Sequence, residues 1–170
     1  MHDHLILNSK QIHQKIKRLA VEVLEHHVQS NGLIIIGIKG NGSVLAKHIQ
    51  HHINQFGTLK TDLLELQISK SQPHDSIQLP APSSGFNYSE IPVLLIDDVM
   101  NSGKTMQYAI RHVLGYNPLC IETLFLIQRS YSQFPVLSNY IGLRLNTTLQ
   151  EHVSVELHEL TPEIDRVILN

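Results

Sequence analysis

The stretch Val93-Leu94-Leu95-Ile96-Asp97-Asp98-Val99-Met100-Asn101-Ser102-Gly103-Lys104-Thr105 decides how the rest of the chain is read. Its first four residues are an unbroken apolar run, the pattern of a strand buried on both faces inside a parallel sheet. Two adjacent carboxylates, Asp97 and Asp98, then end the expected strand. The polar turn of Asn101, Ser102, Gly103, Lys104 and Thr105 opens a helix, with Met106, Ala109, Ile110, Val113 and Leu114 on its expected buried side. Open α/β sheets bind ligands beyond the carboxyl ends of their strands. A glycine turn feeding a helix N-terminus offers free N–H groups to a phosphate. The segment therefore sets two acids beside an anion cradle. That suits a sugar phosphate, with carboxylates accepting from ribose hydroxyls and main-chain amides holding the phosphate. Gly103-Lys104-Thr105 imitates the end of a P-loop, but that motif needs glycine at position 98, where Asp stands. Two solvated acids at an ordinary strand end are the plain alternative. The full order of strand, acid pair, turn and helix argues for a site.

Working outward, Leu33-Ile34-Ile35-Ile36-Gly37-Ile38 is a second apolar run. Lys39, Gly40, Asn41 and Gly42 follow it, and a helix carries Val44, Leu45, Ile49 and Ile53. This repeats the strand, glycine turn, helix logic. It is not a dinucleotide fingerprint, because position 45 is Leu where that motif needs Gly. Alone the turn is either a plain connection or an anion site; beside the central motif it is a candidate for the pyrophosphate end of a substrate. Ahead of it, Asn8 and Gln11 predict a helix cap. Ile12, Ile16, Leu19, Ala20, Val23 and Leu24 recur on one helical face. Leu64, Leu66 and Ile68 alternate as a third strand. Residues 69–90 are polar, hold Pro73, Pro80 and Pro82, and show no periodicity, which predicts a mobile lid or loop. Residues 119–127 form the next expected strand. From 128 onward the chain reads as short strands, including Val153, Val155 and Leu157 in alternation and then Val167, Ile168 and Leu169. The expected fold is a single α/β domain over residues 1–170, with an open, mostly parallel sheet flanked by helices. Residues 128–170 form a small antiparallel C-terminal appendage.

Composition agrees with one globular domain. The chain has 170 residues, 42% hydrophobic and only 16% charged, which favours a real core and burial in an oligomer. Net charge is −2, so nucleic-acid binding would need a local basic patch. The single cysteine, Cys120, sits in an expected strand and gives no disulfide framework, which fits a reducing cytoplasm. No apolar run is long enough to span a membrane, and Met1-His2-Asp3-His4 lacks a signal-peptide pattern. The 12 histidines include His48, His51 and His52 at helical spacing; with no acid or Cys beside them, a solvated helix face is the favoured reading. His26 and His27 near a helix end suit the dipole there.

The central segment closely resembles the phosphoribosyl-pyrophosphate signature of type I phosphoribosyltransferases: four hydrophobics, two acids, a hydrophobic, then a Ser/Thr-Gly-x-Thr turn. Ile36-Gly37-Ile38-Lys39, the helix beginning Ser43-Val44-Leu45-Ala46-Lys47, Asp97-Asp98-Val99 and Val153-Ser154-Val155-Glu156-Leu157 resemble the PyrR group within that family. So does an opening helix starting Ile6-Leu7-Asn8. Members of that group are uracil phosphoribosyltransferases and, in some bacteria, attenuators that bind pyrimidine-operon mRNA. The sequence departs from the group at three places. Lys39-Gly40-Asn41-Gly42 stands for Lys-Thr-Arg-Gly, Ser69-Lys70-Ser71-Gln72 for Tyr-Arg-Asp-Asp, and Gln128-Arg129-Ser130 for Asp-Arg-Gly.

The resemblance implies transfer of ribose 5-phosphate from phosphoribosyl pyrophosphate to a nucleobase, uracil first, in pyrimidine salvage. It implies Mg²⁺, since departing pyrophosphate needs its charge neutralised. Asp97 and Asp98 are expected at the ribose hydroxyls and the metal, and the 101–105 turn at the 5′-phosphate. Lys39, Gly40, Asn41 and Gly42 are expected at pyrophosphate. Lys70 and His74 are candidate lid cations or plain solvated residues; Arg129 either reaches the base pocket or is a surface charge. A regulator that binds nucleotide and mRNA, or a non-catalytic ribose-phosphate binder, is the alternative. The acidic balance and the missing loop Arg count against RNA. A homodimer or larger homo-oligomer is expected.

Overall fold

The computed structural model describes residues 4–69, 76–147 and 151–170. Strand β1 (His4–Asn8) leads into helix α1 (Ser9–His26), then β2 (Leu33–Ile38), α2 (Asn41–Phe56), β3 (Thr61–Ile68) and the short β4 (Ile77–Gln78). Next come β5 (Val93–Met100), α3 (Lys104–Leu114), β6 (Ile121–Arg129), β7 (Tyr140–Leu145), β8 (Val153–Glu156) and β9 (Arg166–Leu169). Six strands form the main sheet in the order β4-β3-β2-β5-β6-β7. All are parallel except β4, which pairs antiparallel with β3.

Why β2 and β5 read as continuous apolar runs is visible in the two cores. Side chains alternate across a strand, and both faces of this sheet are covered. Leu33, Ile35, Leu94 and Ile96 belong to one core, which includes the buried stripes of α1 and α2. Ile34, Ile36, Val93 and Leu95 belong to the other, with Met106, Ala109 and Val113 of α3. Leu114 turns outward and is 58% exposed, so the apolar stripe of α3 is one residue shorter than its spacing suggests. The α1 cap forms as expected: Asn8 accepts from the Gln11 N–H at 3.0 Å, and the Gln11 side chain accepts from the Asn8 N–H at 3.0 Å.

Four elements differ from the sequence expectation. Strand β5 does not stop at the acids but runs through Asp97 and Asp98 to Met100, paired with β6 as far as Met100 opposite Gln128. Ladder pairing on that side carries the strand past its opening apolar run and through the acids. Strand β6 starts at Ile121, leaving Leu119 and Cys120 exposed before it. Strand β7 is the parallel edge of the main sheet, not part of the appendage. The appendage instead recruits the N-terminus: β1, β9 and β8 form a separate antiparallel sheet in that order. Residues 4–8 are thus a strand rather than the start of a helix. Within 69–90, the described part is anchored. Tyr88 is buried, Ile77, Leu79 and Phe86 pack against the second core, and Ser83 and Ser84 donate to the buried Asp62 carboxylate at 2.9 Å each. Those hydrogen bonds outweigh burial and hold Asp62 below the usual carboxylate range.

Candidate active site at the carboxyl end of the sheet

The carboxyl ends of β5 and β6 open into a cavity of about 490 Å³. Asp97, Asp98, the 101–105 turn, Asn41 and Arg129 all line it. The two acids are buried, at 4% and 7% exposure. A buried carboxylate must be hydrogen-bonded or paired to be tolerated. Asp97 accepts from the Asp98 N–H and Asp98 from the Val99 N–H, each at 3.0 Å. Asp98 also accepts from the Asn41 side-chain amide at 2.8 Å. Alternation along β5 puts Asp98 on the side of Leu94 and Ile96, which is the α2 side, so the first residue of α2 can reach it.

The turn enters α3 through a glycine, which brings no capping side chain to the first N–H groups of the helix. Gly103 caps α3 with φ 84°, a left-handed conformation that side chains resist, and its N-cap makes no side-chain hydrogen bond. A Cβ there would meet the Phe134 carbonyl oxygen at 3.0 Å. The chain after β6 braces the turn from behind, as the Gln133 and Phe134 N–H groups both donate to the Ser102 carbonyl at 3.0 Å. Ser102 in turn accepts from the Lys104 N–H at 3.3 Å. The α3 N-terminus, with its positive dipole end, faces the same cavity as the acids.

The first glycine loop is only partly in place. Asn41 lines the cavity, whereas Lys39 and Gly40 are exposed and outside its lining. Gly42 is buried directly behind the acids: a Cβ would meet the Ile96 carbonyl oxygen at 2.9 Å and an Asp97 carboxylate oxygen at 3.1 Å. Any larger residue there would push Asp97 forward. Asn41 reaches further than a loop anion ligand would. Its amide donates both to Asp98 and to the Val155 carbonyl at 2.7 Å, tying α2 to the appendage. Arg129 is no surface charge. It is 6% exposed and donates to Asn101 at 2.9 Å and to the Thr147 hydroxyl at 2.8 Å. Lys70 and His74 lie outside the described residues.

Strand β8 supplies a wall that sequence reading missed. His152, Val153, Ser154 and Val155 line the cavity, with Met100, Met106 and Phe125 adding apolar floor. In the β8–β9 ladder, His152 and Asn170 exchange both main-chain hydrogen bonds, and Ser154 lies opposite Ile168. Antiparallel pairing alternates, so the main-chain groups of Val153 and Val155 point away from β9. The Asn41 bond to the Val155 carbonyl fits that direction. The alternation of Val153 and Val155 marked a strand, but nothing local tells which side of the fold it faces. As chemistry, the cavity combines two hard-oxygen acids, a helix N-terminus that can receive an anion, a buried guanidinium and a strand edge. The acid pair suits Mg²⁺, which takes one or two carboxylates and keeps room for phosphate oxygens and water.

The comparisons agree with this geometry. A family model described as "Phosphoribosyl transferase domain" matches residues 5–159. The chain is similar to the Bifunctional protein PyrR of Oceanobacillus iheyensis, 32% identical and covering 96% of this chain and 95% of that one. It is also similar to the Bifunctional protein PyrR of Staphylococcus saprophyticus, at 28% identity over 94% and 95%. Among solved structures, the hypoxanthine phosphoribosyltransferase of Trypanosoma cruzi overlays with a TM-score of 0.76 at 12% identity, covering 97% of this chain and 94% of that one. A hypoxanthine phosphoribosyltransferase of Staphylococcus aureus overlays at 0.72 with 16% identity, over 96% and 90%. At such identities the two structures speak for the fold. The matched family model and the PyrR relatives carry the assignment: the chain belongs to the phosphoribosyl transferase domain family and is a PyrR-like type I phosphoribosyltransferase.

Proposed function

We propose that this enzyme transfers ribose 5-phosphate from phosphoribosyl pyrophosphate to uracil. The carrying observation is that Asp97, Asp98 and the 101–105 turn converge on one cavity walled by β8. The reaction breaks the bond between ribose C1 and the pyrophosphate oxygen and forms a bond from C1 to uracil N1, whose proton is lost. Positive charge develops on the ribose ring in between. In this reading Asp97 and Asp98 accept from the ribose hydroxyls and lie close enough to stabilise that charge. The N–H groups and hydroxyls of residues 101–105 hold the 5′-phosphate. Residues 39–42 face the pyrophosphate, with Lys39 swinging in from its exposed position. Bound Mg²⁺, held through Asp97 and Asp98, would supply neutralisation of the leaving group. Arg129 fixes Asn101 at the start of the phosphate turn. Lys70, outside the described residues and ahead of the anchored stretch from Ile77 to Tyr88, stays the candidate lid cation; a lid over this site would exclude water, which would otherwise hydrolyse the donor. The Val153 and Val155 main-chain groups offer alternating donors and acceptors, which match the acceptor–donor–acceptor edge of uracil.

RNA regulation is the less favoured reading. Of the densest basic run, Lys10, Lys15, Lys17 and Arg18 on α1, three are engaged within the protein: Lys15 donates to the Gly142 carbonyl at 3.0 Å, Lys17 sits over the Phe56 ring, and Arg18 pairs with Glu22 at 3.0 Å. Little remains there to neutralise a row of phosphates. Among the described residues no helix is long and apolar enough to cross a membrane, and we place the enzyme in the cytoplasm. The exposed Leu114, Tyr116 and Leu119 make a homodimer or larger oligomer the expected form.

The test is pyrophosphate release from phosphoribosyl pyrophosphate and Mg²⁺ with a panel of bases. Uracil should give the highest kcat/KM. A preference for a purine would move the base assignment, and no release with any base would overturn the enzymatic reading. Filter binding with pyrimidine-leader RNA at neutral pH should show no tight, UMP-dependent retention.

A further inference from the structure

At the other end of β6 a second polar cluster has no part in phosphoribosyl transfer. His26 is the last residue of α1 and His27 its C-cap, while Glu122 is the second residue of β6. Glu122 approaches both rings: His27 Nε2 at 2.8 Å and His26 Nδ1 at 3.2 Å. One ligand atom from each of the three lies within 4.8 Å of the others. His27 and Glu122 are buried, at 5% and 7% exposure, whereas the His26 side chain is 60% exposed. We propose that His26 Nδ1, His27 Nε2 and the Glu122 carboxylate form a binding site for a divalent transition metal ion, zinc in the first instance.

The chemistry and the spacing both fit. Two imidazoles and one carboxylate are a donor set that zinc takes readily, with a fourth position filled by water. Ligand bonds of about 2.0–2.2 Å at tetrahedral angles put neighbouring ligand atoms about 3.3 Å apart; the two Glu122 oxygens lie 3.2 Å from His26 Nδ1 and 2.8 Å from His27 Nε2, one oxygen to each ring, so small side-chain shifts close the set on an ion. The exposed face of His26 gives an ion its way in. Outer partners orient the ligands, as metal sites require. Ser30 Oγ lies 3.0 Å from His27 Nδ1, so it can accept the ring proton there and leave Nε2 as the ligand. The Tyr140 hydroxyl donates to Glu122 at 3.0 Å and also lies 2.6 Å from His26 Nδ1, a contact that an ion bound at that nitrogen would displace. A cation also sits well at the C-terminal end of α1, where the helix dipole is negative. Without an ion, the same groups hydrogen-bond to one another, so a metal replaces imidazole protons rather than filling a gap. The site would staple α1 to β6. It is roughly 23 Å along the strand from Arg129, seven residues at about 3.3 Å each, and so separate from the acid pair.

The experiment is calorimetric titration of the chelator-treated full-length protein with Zn²⁺, in excess Mg²⁺ to occupy the acid pair, alongside thermal unfolding. One Zn²⁺ should bind per chain and raise the unfolding midpoint. His26→Ala, at an exposed position that does not threaten the fold, and Glu122→Gln, which keeps size and the Tyr140 hydrogen bond, should each weaken Zn²⁺ binding by at least about tenfold. Asp98→Asn should leave it unchanged. Absence of a saturable 1:1 site would overturn the proposal. So would full-strength binding in His26→Ala, which would assign the zinc to other histidines.

Discussion

Strand β6 has buried charge at each end, and the two ends handle it differently. At its start, Glu122 is met by side chains that meet its carboxylate: His27 at 2.8 Å, His26 at 3.2 Å and the Tyr140 hydroxyl at 3.0 Å. Burial works to raise the Glu122 pKa, but the His27 hydrogen bond and charge, then Tyr140 and His26, more than offset it and hold the acid below its usual range. The same neighbourhood, with burial foremost, pushes the Tyr140 phenol well above its ordinary value, so it remains a donor. At the far end, Arg129, Asp97 and Asp98 surround a cavity, and their partners include main-chain N–H groups and the amides of Asn41 and Asn101. One end is organised as a cross-link between elements, the other as a surface around a space of substrate size. The difference teaches where to expect stability effects and where to expect functional ones.

Glu122→Ala should give the largest stability change. It leaves two histidines and a tyrosine hydroxyl around a void, and breaking a buried pair in this way costs about 3–5 kcal/mol. Urea unfolding would measure it; a change within error would mean that the amino end is no cross-link. Asn41→Ala comes next. It removes donors to Asp98 and to the Val155 carbonyl, so about 1–3 kcal/mol should be lost, together with roughly tenfold in donor affinity as the β8 wall loosens. If only stability falls, Asn41 ties the appendage down without shaping the cavity. The smallest effect is with pH. Because the folded Glu122 pKa is depressed, its contribution is complete above the unfolded value of about 4.3 and is lost as pH falls from there through the folded value. Wild type should therefore lose stability in that acid window more steeply than Glu122→Gln. Parallel acid unfolding curves for the two proteins would contradict the assignment.

The sequence foretold the segments whose structure is set by their own neighbours. The capping pair Asn8 and Gln11, the runs of β2 and β5, and the glycine turn into α3 are all contiguous, and all form. What it did not disclose depends on distant partners. His4–Asn8 is a strand because β9, at the other end of the chain, pairs with it. Tyr140–Leu145 joins the main sheet because β6 offers it a parallel edge, although its alternation alone fits either sheet. Likewise the acid pair and the 101–105 turn are legible together, whereas the β8 wall and the Asn41 bridge to it are not. In sequence His26 and His27 suit only the helix dipole, since nothing near them announces Glu122, 95 residues beyond His27.

The central claim is that Asp97, Asp98 and the 101–105 turn bind the ribose 5-phosphate of the donor. Its most direct test is calorimetry of phosphoribosyl pyrophosphate with Mg²⁺ on wild type and Asp98→Asn, with turnover measured on the same samples. Asp98→Asn should keep the wild-type unfolding profile, bind the donor far more weakly, and lose on the order of 10²–10³ in turnover, the scale of removing one electrostatic transition-state contact. Unchanged donor affinity together with unchanged turnover in the folded variant would contradict the account and move the site elsewhere.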